Sequence, residues 1–99
     1  MRIITKRKLE EFYEQEGHAN SRIAIERWHQ KVSNAHWKNF SDMRKDFPNA
    51  DYVGNQHYVF NLKENNYRLV VVVMFTPELV YIRWVDSHQE YDKLDCSKL

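Results

Sequence analysis

The chain has 99 residues, 42% of them apolar and 14% aromatic, which is the size and composition of one globular domain spanning residues 1–99. Its formal net charge of +1 excludes a protein that holds nucleic acid by bulk charge, so any polyanion must be met by a few local cations. The single cysteine, Cys96, excludes an internal disulfide. Because no apolar run approaches about 20 residues and the first residues lack a signal-peptide core, we expect a cytoplasmic protein with no membrane partner.

The first half of the chain is predicted to form a short strand and two helices. Residues 1–4 suit the strand, Thr5 can cap the first helix, and Gly17 can end it. Apolar residues on one face of this helix are Leu9, Phe12 and Tyr13. Asn20 or Ser21 can cap the second helix, whose apolar positions at helical spacing are Ala24, Trp28, Val32 (or Lys31) and Ala35. Residues 36–56 are mixed and turn-rich, with side chains that we expect to pack as satellites of the core: Trp37, Phe40, Met43, Phe47 and Tyr52.

The second half is predicted to form an antiparallel meander over residues 57–63, 67–75 and 79–86. A two-residue turn at Asn65-Asn66 places Lys63 opposite Arg68 and keeps this arginine off the core. One face then collects Tyr58, Phe60, Leu62, Leu69, Val71, Val73 and Phe75. The other face collects His57, Val59, Asn61 (opposite Val70), Lys63, Arg68, Val70, Val72 and Met74.

The third strand is predicted to complete both faces. Pairing Phe75 with Val80 sends two side chains to the apolar face, Ile82 and Trp84. The same register puts two more on the face of Arg68, namely Tyr81 and Arg83, and it puts Ser87 opposite Arg68.

A short helix is predicted to follow the third strand. Ser87-His88-Gln89-Glu90 is a capping box, so the helix should begin at His88. His88 and Tyr91 are then three residues apart and share one side of the helix, at the rim of the face that carries Arg68 and Arg83.

These polar residues suit the cleavage of a phosphodiester in RNA. The reaction needs no metal when the 2′-OH is the nucleophile, but it needs a proton acceptor, a proton donor and positive charge at the phosphorane. Arg68 and Arg83 can hold the phosphate, since guanidinium matches phosphate oxygens. His88 can act as acid or base, and Tyr91 can transfer a proton or stack on an unpaired base. The histidines show no metal-binding spacing and no second cysteine is present, so we expect neither metal nor cofactor.

Each candidate also has an ordinary structural explanation. His88 can be a simple helix-start residue, Tyr91 a packing residue, and Arg83 a surface residue lying over aromatic neighbours. His57 can simply begin a strand. The basic residues 6–8 are best explained as the solvated start of a helix, with contact to a polyanion as the alternative. Two other functions therefore stay open, a non-catalytic protein-interaction module and a plain RNA-binding domain.

The chain resembles the HigB-type toxins of the RelE superfamily, in layout over most of its length and specifically from about residue 57 to residue 95. The residues that carry the resemblance are Tyr-Val-Phe-Asn-Leu-Lys at 58–63, Asn-Asn-Tyr-Arg-Leu-Val-Val at 65–71, Tyr-Ile-Arg-Trp-Val at 81–85 and His-Gln-Glu-Tyr-Asp-Lys at 88–93. They are similar to the family's FNI-x-GN-x-YRLI hairpin and its THxEYDKI ending. The predicted order of strand, two helices, meander and terminal helix is also that of the family. Glu64 stands where the family often has glycine.

The resemblance implies an α+β fold, with an N-terminal strand and two helices packed on an antiparallel sheet and a short C-terminal helix. It implies a toxin that cleaves mRNA without a metal, often on the ribosome, and so inhibits translation and growth. The implied partner is a HigA-type helix-turn-helix antitoxin, through which operator DNA is bound. The implied catalytic residues are Arg68, Arg83, His88 and Tyr91. The candidates for binding RNA are Asn61 and Lys63, to which we add His57.

Overall fold

The structure, a computed structural model, describes residues 1–99 with the exception of the Ser97 side chain. Its helices are α1 (Lys6–Tyr13), α2 (Arg22–Ser33), α3 (Phe40–Asp46) and α4 (His88–Asp92), with 3-10 turns at Ala19–Ser21 and Cys96–Lys98. Its strands are β1 (Arg2–Ile4), β2 (Asp51–Gly54), β3 (His57–Leu62), β4 (Tyr67–Met74) and β5 (Leu79–Ser87). They form one sheet in the order β1-β5-β4-β3-β2, with β1 parallel to β5 and the other pairs antiparallel. This confirms the predicted α+β architecture. None of the helices described has the length and hydropathy to cross a bilayer.

The hydrophobic core lies between one face of the sheet and the helices. The sheet contributes Tyr58, Phe60, Leu62, Leu69, Val71, Val73 and Ile82, as predicted, and also Tyr67. The helices contribute Leu9, Phe12, Tyr13, Ile25, Trp28 and Val32. Val32 is therefore the correct choice over the exposed Lys31, and Ile25 is a core residue that the spacing argument overlooked. Burial of this apolar surface stabilises the fold by about 25 cal/mol per Å².

The predicted register of the first hairpin is wrong by two residues. Asn61 pairs with Arg68, not with Val70, and Lys63 belongs to a four-residue turn over residues 63–66 instead of to β3. The longer turn brings Leu62 opposite Tyr67, and both are buried in the core. Because side chains alternate with a period of two, a shift of two residues leaves every strand residue on its predicted face.

The predicted pairing of the second hairpin is also wrong. Met74 pairs with Leu79 in place of the predicted pair of Phe75 and Val80. Farther along, Val71 pairs with Ile82 but the next residue of β4, Val70, pairs with Trp84. Arg83 is therefore the extra residue of a β-bulge in β5. The extra residue reverses the alternation beyond it. Trp84 consequently lies on the face opposite the core, where it was not predicted. For the same reason Asp86, and not Ser87, lies opposite Arg68.

Residues 36–56 are more regular than predicted, since they contain α3 and β2. The Asn39 side chain caps α3 by accepting a hydrogen bond from the Asp42 N–H at 2.9 Å. Trp37 and Met43 belong to the core itself. Phe40 and Phe47 pack against it as predicted, and Tyr52, although 53% exposed, lies with its ring centroid 5.1 Å from that of the core residue Tyr58. Thr5 and Ser21 occupy the N-cap positions of the first two helices, as predicted. Neither side chain, however, accepts a capping hydrogen bond from the helix. The first of these helices ends at Tyr13, before Gly17.

Candidate active site

The sheet face opposite α1 and α2, called the outer face here, carries three rows of residues across the strands. One row pairs Ile4, Tyr81, Val72 and His57 across β1, β5, β4 and β3. The next consists of Trp84, Val70, Val59 and Asp51. The third consists of Asp86, Arg68 and Asn61. The strand pairing thus brings polar residues that are far apart in sequence onto one surface.

Helix α4 and the residues after it cover the middle of the outer face. Val59 and Val70 are only 3% and 0% exposed although they point away from the main core. Trp84 lies beside Val70 in the sheet, and its ring centroid is 6.1 Å from that of Tyr91. The Tyr91 hydroxyl in turn accepts from the Cys96 thiol at 3.9 Å. Tyr91 is therefore held against the sheet by packing on both sides.

The start of α4 is fixed by two hydrogen bonds. The Ser87 hydroxyl accepts from the Glu90 N–H at 3.2 Å, which confirms Ser87 as the cap. The other half of the predicted capping box is not formed, because the Ser87 N–H donates to the Asp86 carboxylate and not to that of Glu90. The Glu90 carboxylate lies 3.6 Å from the Lys93 ammonium, so it joins an ion pair along the helix. The His88 N–H donates to the Asn66 carbonyl at 3.0 Å. This second bond ties α4 to the 63–66 turn and places the half-buried His88 beside it.

Arg68 keeps its charge available for a ligand. Its guanidinium donates to the Asn65 carbonyl at 2.7 Å and to the Tyr67 carbonyl at 3.2 Å. Arg68 is absent from the ion pairs of the part of the chain that the structure describes. Asp86, its neighbour in the sheet, accepts from the Ser87 N–H at 2.7 Å and lies 3.9 Å from the His18 imidazole. A half-buried guanidinium held by neutral carbonyls is a strong anion binder.

The environment of Tyr91 favours its protonated form. Burial raises the pKa of the Tyr91 phenol above its ordinary value of 10.0, and the neighbouring Cys96 and Asp51 raise it further. The positive charge of Arg68 offsets part of this rise, because it favours the ionised phenol. Arg68 and Tyr91 are thus close enough to interact electrostatically, and we call Arg68, His88 and Tyr91 the Arg68 cluster.

A cavity of about 320 Å³ lies farther along the outer face and is called the basic cavity here. Its polar lining residues are Thr5, Lys8, His57, Tyr81 and Arg83. Arg83, the extra residue of the bulge, lines this cavity with an exposed side chain, on the face where it was predicted. His57 Nδ1 lies 2.8 Å from the Asn55 carbonyl, which can only accept, so the proton is on Nδ1. His57 Nε2 is buried without a hydrogen-bond partner among the residues described.

The structure therefore divides the predicted site residues among three places. Arg68 and Tyr91 interact electrostatically, and His88 begins α4 beside the turn that holds Arg68. Asn61 lies beside Arg68 in the sheet and also lines the depression next to α2. Arg83 and His57 line the basic cavity. Lys63 lies on the exposed 63–66 turn, where it borders a different depression next to α2. The described side chains include no group of three or more His, Cys, Asp and Glu arranged to hold a metal ion.

Sequence reasoning missed two residues of this surface. Trp84 was assigned to the core because the bulge at Arg83 leaves no mark in the spacing of apolar residues. Lys8 was read as part of a solvated helix start, yet its ammonium donates to the Ile82 carbonyl at 3.4 Å and it lines the basic cavity. The only available signal for Lys8 was its place in a basic run.

Comparison with known proteins identifies the family. Residues 21–94 match the HigB toxin family, described as the RelE-like toxic component of a toxin-antitoxin system. The chain is 31% identical over 96 residues to the mRNA interferase HigB of Escherichia coli O157:H7, and equally to that of Shigella flexneri, covering 93% of this chain and 88% of each relative. It is 28% identical to the mRNA interferase HigB of Escherichia coli O6:H1, covering 95% of this chain and 91% of that protein. The chain belongs to the HigB toxin family, which confirms the resemblance seen in its sequence.

Proposed function

We propose that this toxin is a metal-independent endoribonuclease that cleaves mRNA on the ribosome and so inhibits translation and growth. Its relatives are named mRNA interferases. The observation that carries the proposal is the Arg68 cluster, in which a guanidinium without a carboxylate partner lies close to a tyrosine with a raised pKa, on the helix that also carries His88.

The cluster supplies the three groups that the reaction requires. The 2′-OH attacks the adjacent phosphorus, the bond to the 5′-oxygen breaks, and a cyclic phosphate and a 5′-OH result. Arg68 stabilises the charge of the phosphorane. Tyr91, kept protonated by its surroundings, donates the proton that the departing 5′-oxygen takes up. His88 accepts the proton of the 2′-OH, since neutral imidazole is a base near neutral pH.

The basic cavity extends the RNA path across the outer face. Lys8 and Arg83 there provide positive charge for a neighbouring phosphate, and Tyr81 provides a ring on which an unpaired base can stack. His57 lines the same cavity, held by its Nδ1–H, which donates to the Asn55 carbonyl at 2.8 Å. Asn61 adds a neutral polar contact beside Arg68. This path does not include Lys63, which lies on the turn outside it.

The partner that we propose is a HigA-type helix-turn-helix antitoxin. Family membership makes this chain the toxic component of a toxin-antitoxin system, so an antitoxin is required to hold it inactive. Operator DNA is then bound through the antitoxin and not by the toxin, whose net charge of +1 gives it little attraction for a duplex.

Induced expression tests the proposal. We expect the wild type to arrest growth and to produce new 5′ ends in messages, detected by primer extension. The double variant Arg68→Ala/His88→Ala should do neither while it stays soluble and folded by circular dichroism. Arg44→Ala, which removes an exposed arginine of α3, is the matched control and should stay toxic. Normal growth and intact messages with abundant folded wild type would favour the interaction module, and retention of uncut RNA would favour the binding domain.

Ribosome dependence is tested separately with purified components. A message incubated with the toxin should be cut in the presence of translating ribosomes and not in their absence. Cleavage of free message at the same rate would remove the ribosome from the proposal and leave the nuclease in place. If free RNA is cut at all, that cleavage should survive chelation of divalent cations, and its loss on chelation would contradict the metal-independent mechanism.

A further inference from the structure

A groove of about 640 Å³ lies on the helical side of the molecule, between α2, the end of α3 and the 63–66 turn, and we call it the α2 groove. Its apolar lining consists of Ile23, Ala24, Trp28, Phe47 and Leu62. Ile23 is 64% exposed, the largest exposure of any large apolar side chain in the described part of the chain. An apolar side chain displayed beside a concave apolar surface indicates a contact site for another molecule.

The rim of the α2 groove is positively charged. Arg27, Lys31 and Lys63 line it, whereas Glu64 is the one acidic residue of the lining. None of the three cations takes part in an ion pair among the residues described. The Lys31 ammonium donates to the Asp46 carbonyl at 2.7 Å and lies 4.9 Å from the centre of the Phe47 ring, so its charge is held at the groove without being neutralised.

Trp28, which lines the groove, also has an unsatisfied donor. The Trp28 side chain is only 2% exposed, and its indole N–H has no acceptor in the part of the chain that is described. Buried N–H groups normally find an acceptor, because leaving one unpaired is unfavourable.

We propose that the α2 groove is the docking site of the antitoxin. The occupant is an amphipathic segment that places apolar side chains against Ile23 and Phe47 and carboxylates beside Arg27 and Lys31. Complementarity to an apolar floor with a cationic rim selects this chemistry. The inference rests on the proposed function, in which the chain is a toxin that an antitoxin holds inactive.

The 63–66 turn connects this groove to the Arg68 cluster. Lys63 and Glu64 line the groove, while the next two residues support the cluster on the other side. The Asn65 carbonyl accepts from Arg68 and the Asn66 carbonyl from the His88 N–H. A segment seated in the groove therefore contacts the same turn that positions the guanidinium and the start of α4, and it can disturb both without covering the outer face.

Variants that stay toxic but escape neutralisation test this proposal. Ile23→Asp and Arg27→Glu change exposed side chains outside the Arg68 cluster and the basic cavity. Ile23 lies in the first turn of α2, where an acidic residue is favourable, so the helix should be preserved. The controls are Ile23→Leu, which keeps the apolar contact, and Lys38→Glu, which reverses an exposed charge outside the groove.

We expect all these variants to arrest growth when expressed alone. Co-expression of the cognate antitoxin should restore growth for the wild type and both controls, but not for the Ile23→Asp/Arg27→Glu double variant. The readout is a gain of toxicity in the presence of antitoxin, which an unfolded variant cannot produce. Restored growth with the double variant would overturn the proposal and place the antitoxin elsewhere, with the outer face as the next site to test.

Titration calorimetry with purified antitoxin decides the same question without toxicity. On the inactive Arg68→Ala/His88→Ala background, the double groove variant should bind the antitoxin about 100-fold more weakly or worse, and Lys38→Glu should bind it like the parent. Equal affinity of the groove variant and its parent would refute the docking site. If the wild type neither arrests growth nor cuts RNA, the proposed nuclease fails, while this titration still answers whether the groove binds the antitoxin.

Discussion

At the scale of single residues, Tyr91 is the group whose surroundings most restrict its chemistry. Because burial raises the pKa of its phenol above 10.0, Tyr91 can donate a proton throughout the neutral range but cannot act as a base there. Tyr91→Phe should therefore slow single-turnover cleavage by about 10²–10⁴-fold, the usual contribution of a general acid. The free energy of unfolding, measured with urea, should change by about 1.5 kcal/mol at most.

The raised pKa of Tyr91 also affects how the cleavage rate of the wild-type enzyme depends on pH. Loss of rate caused by ionisation of Tyr91 should begin at a higher pH than for an ordinary phenol, because the pKa of Tyr91 is raised above 10.0 by burial. Full activity of Tyr91→Phe would instead make this residue a stacking platform for a base and leave the proton donor to be found elsewhere.

His29 makes stability depend on pH in a direction that can be worked out. Burial, and then the nearby Lys6, lower the pKa of the His29 imidazole below its ordinary value of 6.5. The unfolded chain therefore binds this proton more readily than the folded one. The stabilisation is complete above pH 6.5 and is lost as the pH falls below it toward the folded-state pKa. We expect His29→Gln to lose less free energy of unfolding than the wild type between about pH 7.5 and 5.5. Urea denaturation at both pH values measures this, and equal losses would show that other groups dominate.

At the scale of elements, α4 depends on its cap because it is only five residues long. Ser87→Ala removes the acceptor of the Glu90 N–H, which should cost about 1 kcal/mol locally. Hydrogen exchange of residues 88–92 should become faster and RNA cleavage slower, because this helix positions His88 and Tyr91. Ser87→Asp keeps an acceptor at the cap and should retain both properties. Unchanged exchange in Ser87→Ala would mean that the Asn66 carbonyl alone fixes the helix.

The 63–66 turn holds three consecutive residues in the left-handed region, Lys63, Glu64 and Asn65, at φ values of 48°, 52° and 73°. A residue with a Cβ pays about 1–2 kcal/mol there and glycine does not, which explains why glycine is common in the family where Glu64 stands here. Glu64→Gly should raise the free energy of unfolding by up to about 1 kcal/mol, after the larger chain entropy of glycine is subtracted. Glu64→Ala removes the same carboxylate but keeps the Cβ, so it should bring no such gain in urea denaturation. Equal stability of the two variants would show that charge matters more than backbone conformation.

The turn and the bulge also show what the sequence could and could not predict. Alternation of apolar residues was sufficient to assign β3 and β4 to their faces, because an error of two residues in register does not exchange the faces. The bulge at Arg83 inserts one residue, which does exchange them, and for this reason Trp84 was misplaced. Helix α3 had a readable signal in the Asn39 cap and the acidic Asp42, but its seven residues are too few for a clear helical period. The grouping of Arg68 with Tyr91 was predictable from the strand order, whereas the basic cavity also includes Lys8 of α1, which the strand pattern does not place.

At the scale of the whole molecule, the two sides of the sheet have separate tasks. The helical side holds the main core and the α2 groove, and the outer face holds the Arg68 cluster and the basic cavity. The net charge of +1 hides this arrangement, because acidic residues elsewhere balance the cations of these surfaces. Attraction of RNA must then come from few phosphate contacts at short range and not from the overall field of the protein.

This distribution of charge predicts a weak dependence of RNA binding on salt. Each phosphate neutralised on a single strand changes the slope of log K against log salt by about −0.7, so contacts from Arg68, Arg83 and Lys8 give a slope of about −2. The measurement is binding of a labelled single-stranded RNA to inactive His88→Ala over about 50–200 mM salt. Adding Arg83→Ala should reduce the slope by about 0.7, while adding Lys38→Ala should leave it unchanged. A slope of about −5 or steeper would mean that the RNA runs over many other cations, because the three on the outer face cannot neutralise that many phosphates.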